Sequence, residues 1–187
     1  MTPFEQVTLQ TPRLSLRFLD QDDAPALLTL FTDAETLRYF SCTPWQHLDQ
    51  AVEHISQTQQ GYRDGSALRL ALTVDNQLIG SCTLYAIDRR NHRCEMGYIL
   101  AREHWGKGYM AEALAALLDY AFGPLALHRL EADIHPDNIA SERLLQRLHF
   151  KQEGHLRERW FVGDEISDSI IYGLLAREWK AAIHPAQ

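Results

Sequence analysis

The sequence predicts an α+β fold: one mixed, mostly antiparallel twisted sheet, with a single parallel strand–helix–strand pair near its centre and helices on both faces. Three observations predict it. Short runs of alternating apolar and polar residues recur along the chain, the period-two signature of half-buried strands. Three of these runs follow one another with only tight turns between them, as an antiparallel meander does. The next run is reached only after a full amphipathic helix pattern, the length that a right-handed parallel crossover needs.

The elements follow in order. Residues 12–18 set Leu14, Leu16 and Phe18 against Arg13, Ser15 and Arg17, a strand with one wet face. Residues 20–33 carry Ala24, Leu27, Leu28, Leu30 and Phe31 behind acidic residues, a helix whose start is complemented by negative charge. Residues 34–46 read as a loop. Residues 47–62 place Leu48, Val52, Ile55 and Gln59 at helical spacing. That stripe is thin, which predicts a surface helix near a substrate entrance. Residues 68–74, 78–87 and 94–100 form the meander, with turns at 75–77 and 88–93. After a glycine-rich junction, Met110, Ala113, Leu114, Leu117, Leu118 and Ala121 make a helical stripe that Gly123 and Pro124 stop. Residues 128–135 alternate again, with Leu130, Ala132 and Ile134 opposite Glu131, Asp133 and His135. Pro136, Asp137 and Asn138 open a short helix bearing Leu144, Leu145 and Leu148. A strand pair at 150–162 and 167–176, turning at 162–164, ends the chain. There is no repeat, low-complexity tract or linker, so residues 1–187 read as a single domain.

Bulk properties narrow the function. Apolar residues make up 45% of the 187 positions, enough for a packed core. The net charge of −7 argues against nucleic acid as a partner. No apolar run is long enough to span a bilayer, and residues 1–5 lack the basic-then-apolar layout of a secretory leader. Cys42, Cys82 and Cys94 are odd in number and have no CxxC spacing, so free thiols in a cytoplasmic protein are expected. The nine histidines are scattered without a metal-ligand pattern, and no metal site is expected.

The junction carries the chemistry. His104, Trp105, Gly106, Lys107, Gly108, Tyr109, Met110, Ala111 and Glu112 link a short apolar strand to the helix. Glycines there leave backbone N–H groups uncovered, and the helix directs its positive end at the same place. Such a bend holds a phosphate or diphosphate. Gly106-x-Gly108-x-x-Ala111 also matches the dinucleotide fingerprint, with Glu131 or Asp133 as a ribose acid. That reading needs several parallel units, and the chain offers one.

These residues together resemble the GNAT superfamily of acetyl-coenzyme A-dependent N-acetyltransferases, in particular its RimJ/RimL-type branch. The resemblance rests on residues 11–17, 95–100, 105–114, 138–145 and 148–150. It departs from the superfamily loop where Trp105 and Met110 stand. It implies that the backbone of Gly106, Lys107, Gly108, Tyr109, Met110 and Ala111, beside Trp105, holds the diphosphate of acetyl-CoA. Tyr98, Ile99 and Leu100 would pair with its amide-rich arm, and a strand N–H near Tyr98 or Ile99 would stabilise the oxyanion.

Asn138 reads both as a helix cap and as a contact to that arm. Many relatives place a tyrosine acid where this chain has Leu145, so Ser141 is the substitute donor to the thiolate. Glu95 is the candidate base, and Asp133 its rival. The implied acceptor is a primary amine, most simply a protein N-terminal α-amine. A polyamine or small amine, a non-catalytic CoA-binding module and an NAD(P)-dependent oxidoreductase are the alternatives. A monomer or homodimer is expected.

Overall fold

The structure, a computed structural model, describes residues 3–183. Met1 and Thr2 of the segment read for a leader lie outside the described residues, as do residues 184–187 of the single-domain assignment. The strands are β1 (Leu9–Gln10), β2 (Ser15–Phe18), β3 (Leu68–Val74), β4 (Gln77–Asp88), β5 (Arg93–Leu100), β6 (Arg129–Ile134), β7 (Lys151–Val162) and β8 (Glu165–Leu175). The helices are α1 (Ala24–Thr32), α2 (Ala34–Leu37), α3 (Leu48–Asp64), α4 (Tyr109–Phe122), α5 (Ile139–Arg147) and α6 (Ala176–Ile183). One sheet runs β1-β2-β3-β4-β5-β6-β8-β7. β5 and β6 are its one parallel pair among the described residues, and every other neighbour is antiparallel. A doubly wound dinucleotide fold needs a mostly parallel sheet, so the oxidoreductase alternative fails on architecture.

Period two divides the core between the faces. Leu68, Leu70 and Leu72 of β3 with Cys94 and Met96 of β5 pack against α4, Leu145 and Trp179. On the other face Ala71 and Ile99 meet Leu27, Leu30 and Phe31 of α1 and Ala51 and Ile55 of α3. Helices therefore cover both faces, as expected.

Several details differ from the sequence reading. β1 is two residues long, too short to show alternation. α2 lies inside the expected loop, where the Asp33 side chain accepts from Glu35 N and from the Thr36 hydroxyl and closes one turn. α6 continues past β8, pinned by the Trp179 indole donating to Asp119 Oδ1 at 2.7 Å. On α3, Leu48 and Val52 are exposed, and the inward stripe is Ala51, Ile55, Thr58 and Tyr62. Small and polar members hide that stripe from a count of large apolar residues. β8 folds back between β6 and β7, which leaves β7 at the sheet edge. No helix among the described residues is long and apolar enough to cross a membrane.

One feature of the sheet positions the site. β5 and β6 pair only from Arg93↔Arg129 to Glu95↔Glu131. Beyond Glu95, β5 continues beside β4 alone, and β6 turns to β8. The two central strands part there like a V, and one edge of β5 loses its partner.

Candidate active site

The glycine junction lies just beyond the open end of the V. Gly106 (φ +73) and Gly108 (φ +80) both occupy the left-handed region that favours glycine. A Cβ added at Gly106 would meet nothing within 4 Å, so the bend is open above its backbone. Gly108 caps the 14-residue α4, whose unpaired first-turn N–H groups and dipole favour an anion. Met110 is buried and Ala111 half-buried, so these two can serve a ligand through their backbone. Lys107 is exposed and Tyr109 half-buried.

Arg13, from the segment before β2, straps this bend. Its Nη1 donates to Lys107 O at 2.9 Å, its Nε to Glu112 Oε2 at 2.6 Å, and its guanidinium lies 4.7 Å over the Tyr109 ring. Thr11 Oγ1 and the Arg13 N–H both donate to Glu112 Oε1. Burial would raise the Glu112 carboxyl, but these donors outweigh it and hold the group below its ordinary range. Without Arg13, the Glu112 charge would face any bound phosphate. Arg13→Ala is therefore expected to weaken acetyl-CoA binding about tenfold by calorimetry, the loss of one charge-assisted contact.

Along β5, odd residues turn their backbone to β4: Ala101 N donates to Ile79 O, and Ser81 pairs with Ile99. Even residues face β6, where Arg129 N donates to His92 O. By this antiparallel parity, Tyr98 and Leu100 present their backbone to the V, and Ile99 does not. The Ile99 side chain is itself buried in the second core. The Leu100 carbonyl accepts from the Trp105 indole at 2.7 Å, so the Tyr98 backbone and the Leu100 N–H are the groups left facing the gap.

Across the V stands the start of α5. Asn138 Oδ1 accepts from Ser141 N at 3.1 Å, the N-cap bond. Ser141 is half-buried, and the Tyr98 hydroxyl faces it without a well-formed hydrogen bond to anything among the described residues. Burial pushes the Tyr98 phenol up to about 12, so it remains a donor. Leu145 is fully buried in the core. His104 Nδ1, beside the glycine bend, is likewise buried and unpaired. Orphaned polar atoms on the β5 side of the V and an open amide bend fit a long polar ligand threaded through it.

The α1–α3 face carries the acidic groups. Glu95 stands beside the Tyr85 phenol, its cross-strand partner, and makes no ion pair among the described residues. Burial first, then the nearby Glu95 and Asp133 carboxylates, drives the Tyr85 phenol far above the tyrosine range. Asp133 is otherwise engaged: its Oδ2 takes Arg159 Nε at 2.8 Å and the Trp160 indole at 3.2 Å. Glu131 pairs with Arg129 at 2.8 Å and Arg93 at 3.5 Å. His135 Nδ1 accepts from Asp137 N, and its ring lies against Tyr39.

Arg69 of β3 lies on this same face. Its Nε donates to Thr83 Oγ1 at 3.0 Å, and its Nη1 lies 3.4 Å from His54 Nδ1. Burial, with Arg69 adding to it, lowers His54 to about 3. The sign follows: the unfolded chain takes up this proton below pH 6.5 and the native protein does not, so stability is lost as pH falls from 6.5 toward 3. The loss is up to about 1.4 kcal/mol per pH unit from this residue. Urea unfolding of His54→Phe at pH 7 and pH 5 is expected to show a smaller acid loss than wild type.

Arg13, Glu112, Tyr85 and Arg69 were not singled out as site residues from the sequence. Each becomes visible only through a partner on another strand or helix. Among the described residues no group of three histidines, cysteines or carboxylates stands close enough to hold a metal ion.

Residues 13–151 match the Acetyltransferase (GNAT) domain family. The chain is 38% identical over 174 residues to the uncharacterized N-acetyltransferase p20 of Bacillus licheniformis, covering 92% of this chain and 98% of that one. It is 26% identical over 185 residues to the [ribosomal protein uS5]-alanine N-acetyltransferase of Escherichia coli (strain K12), covering 93% of each. The crystal structure of spermidine N-acetyltransferase from Vibrio cholerae, in complex with CoA and spermine, superposes with a TM-score of 0.80 at 25% identity, covering 90% of this chain and 99% of that one.

Proposed function

The chain belongs to the GNAT acetyltransferase family as an acetyl-CoA-dependent N-acetyltransferase, and we propose that its acceptor is a protein N-terminal α-amine. The observation that carries this reading is the charge balance around the V. Of the three β5 and β6 carboxylates on that face, Arg159 neutralises Asp133, while Arg93 and Arg129 hold Glu131 and are shared with Asp88 and Glu153. Glu95 alone of the three is unpaired, and Arg69 adds an uncompensated positive charge. A polyamine with several ammonium groups finds little to attract it here. An α-amine of pKa about 7.7–8.0 is already partly neutral at pH 7 and needs one modest base. The uS5-alanine enzyme among the relatives supports the same choice, and the spermidine enzyme supports the rival.

Acetyl-CoA supplies the activated acetyl group, and the bend amides from Gly106 to Ala111 would hold its diphosphate. The Asn138 amide group and the Tyr98 and Leu100 backbone line the path of its arm. Glu95 accepts the ammonium proton, directly or through one water, beside the Tyr85 phenol. The Tyr98 N–H faces the V, where it would meet negative charge developing on the acetyl oxygen. Ser141 donates toward the departing sulfur, a light task because a thiol of pKa about 8.5 leaves readily as thiolate. Thiol release should test the acceptor. Peptides with a free N-terminus are expected to exceed spermidine about tenfold or more in kcat/KM. A preference for spermidine would reverse the assignment.

A further inference from the structure

Arg69 holds a positive charge half-buried in the α1–α3 face, and no carboxylate among the described residues pairs with it. Its Thr83 and His54 contacts are both to neutral groups, because His54 stays uncharged at ordinary pH. The guanidinium has five N–H bonds in a fixed fork that matches a carboxylate, and these two contacts engage two of them. With Nδ1 facing the Arg69 donor, the ring proton of His54 belongs on Nε2. That atom is buried without a partner. The remaining Arg69 N–H groups thus have no acceptor among the described side chains, and the group carries a full charge. Partly removing a cation from water without a counter-charge is unfavourable, so the arrangement suits an anion brought in by a ligand.

Position says which ligand. Arg69, Thr83 and Gly97 lie opposite one another across β3, β4 and β5. The guanidinium reaches over Thr83, about one strand spacing of 4.8 Å from Gly97. Gly97 has no side chain, and a Cβ there would meet the Tyr85 ring at 3.5 Å. The row is therefore open between Arg69 and the V, with Tyr85 as one wall. Two residues before Gly97 on the same face stands Glu95. A negative group and a positive group flank the bare glycine, the complement of an amine that carries its own carboxylate.

We infer that Arg69 seats a carboxylate of the acceptor, so that the enzyme selects amines bearing an acid a few bonds from the nitrogen. This rests on the acetyl-transfer reading above and specifies its substrate class. The carboxylate has two sources: the acidic side chain of a peptide's first residues, or the α-carboxylate of a free amino acid.

The test uses two isosteric pairs with the CoA-loaded protein. One pair is a C-terminally amidated tripeptide opening on aspartate and its counterpart opening on asparagine. The other is glycine and glycinamide. Binding is measured by calorimetry and transfer by thiol release. At least one pair should favour its acid about tenfold or more in affinity, as a charge-assisted contact does, and which pair does so identifies the source. Arg69→Gln should erase that preference through the acceptor KM while leaving the acetyl-CoA dissociation constant unchanged. Arg69→Lys, which keeps charge without the fork, should retain part of it and covers the case in which Arg69→Gln does not fold. Equal binding within both pairs in the wild type, or a preference unchanged in either variant, overturns the inference. Discrimination in binding without transfer to any acceptor would instead overturn the catalytic reading, and transfer without discrimination would overturn this inference alone.

Discussion

Replacing Gly108 by valine is expected to raise the acetyl-CoA dissociation constant about 100-fold, roughly the loss of one or two charge-assisted hydrogen bonds. The residue sits at φ +80, where a β-branched side chain is strained, and its new Cβ would meet an Arg13 guanidinium nitrogen at 3.4 Å. To relieve the strain at positive φ, the bend must rotate, and its amides turn away from the ligand. Folding stability should fall by about 2 kcal/mol from the strain. Gly163→Val separates the two effects. Gly163 lies at φ +59 in the β7–β8 turn, with nothing within 4 Å of an added Cβ. That variant should lose stability similarly and bind acetyl-CoA normally. An equal loss of binding in both variants would mean that Gly108 acts only through the fold.

Glu95→Gln is expected to lower kcat about 100-fold, within the usual range for a general base, with acetyl-CoA affinity close to wild type. The substitution keeps the shape beside Tyr85 but removes the proton acceptor. The acidic limb of the pH–rate profile, where loss of the base's charge slows the wild type, should disappear. Asp133→Asn should change that limb little, because Arg159 and Trp160 already occupy the carboxylate. An unchanged profile in Glu95→Gln would transfer the base role to Asp133 or to water.

Much of the fold is legible because apolar residues alternate cleanly in β2, β3 and β6, and because the α4 stripe stands between two strands. Turn residues mark where several runs stop: Asp75 and Asn76 after β3, Gly123 and Pro124 after α4, and Gly163 after β7. What the sequence conceals is set by pairing between distant segments. The insertion of β8 between β6 and β7 depends on which edge of β6 is free. That Ile99 faces β4 while Tyr98 faces the V depends on the register Ser81↔Ile99. The glycine bend was visible locally because its chemistry is backbone chemistry. The strap from Arg13 to Glu112 spans 99 residues, and the row from Arg69 through Thr83 to Gly97 crosses three strands. No spacing rule within one element reveals either. α3 shows the opposite error: Leu48 and Val52 fit a helical stripe, yet the side that packs is built on Ala51, Ile55 and Thr58.

A crystal grown with acetyl-CoA tests the account most directly. The diphosphate oxygens should lie within hydrogen-bonding distance of backbone nitrogens between Gly106 and Ala111, and the arm should run along Tyr98 and Leu100 through the gap between β5 and β6. Density for the ligand elsewhere on the protein, with the bend bare and the V closed, would contradict it.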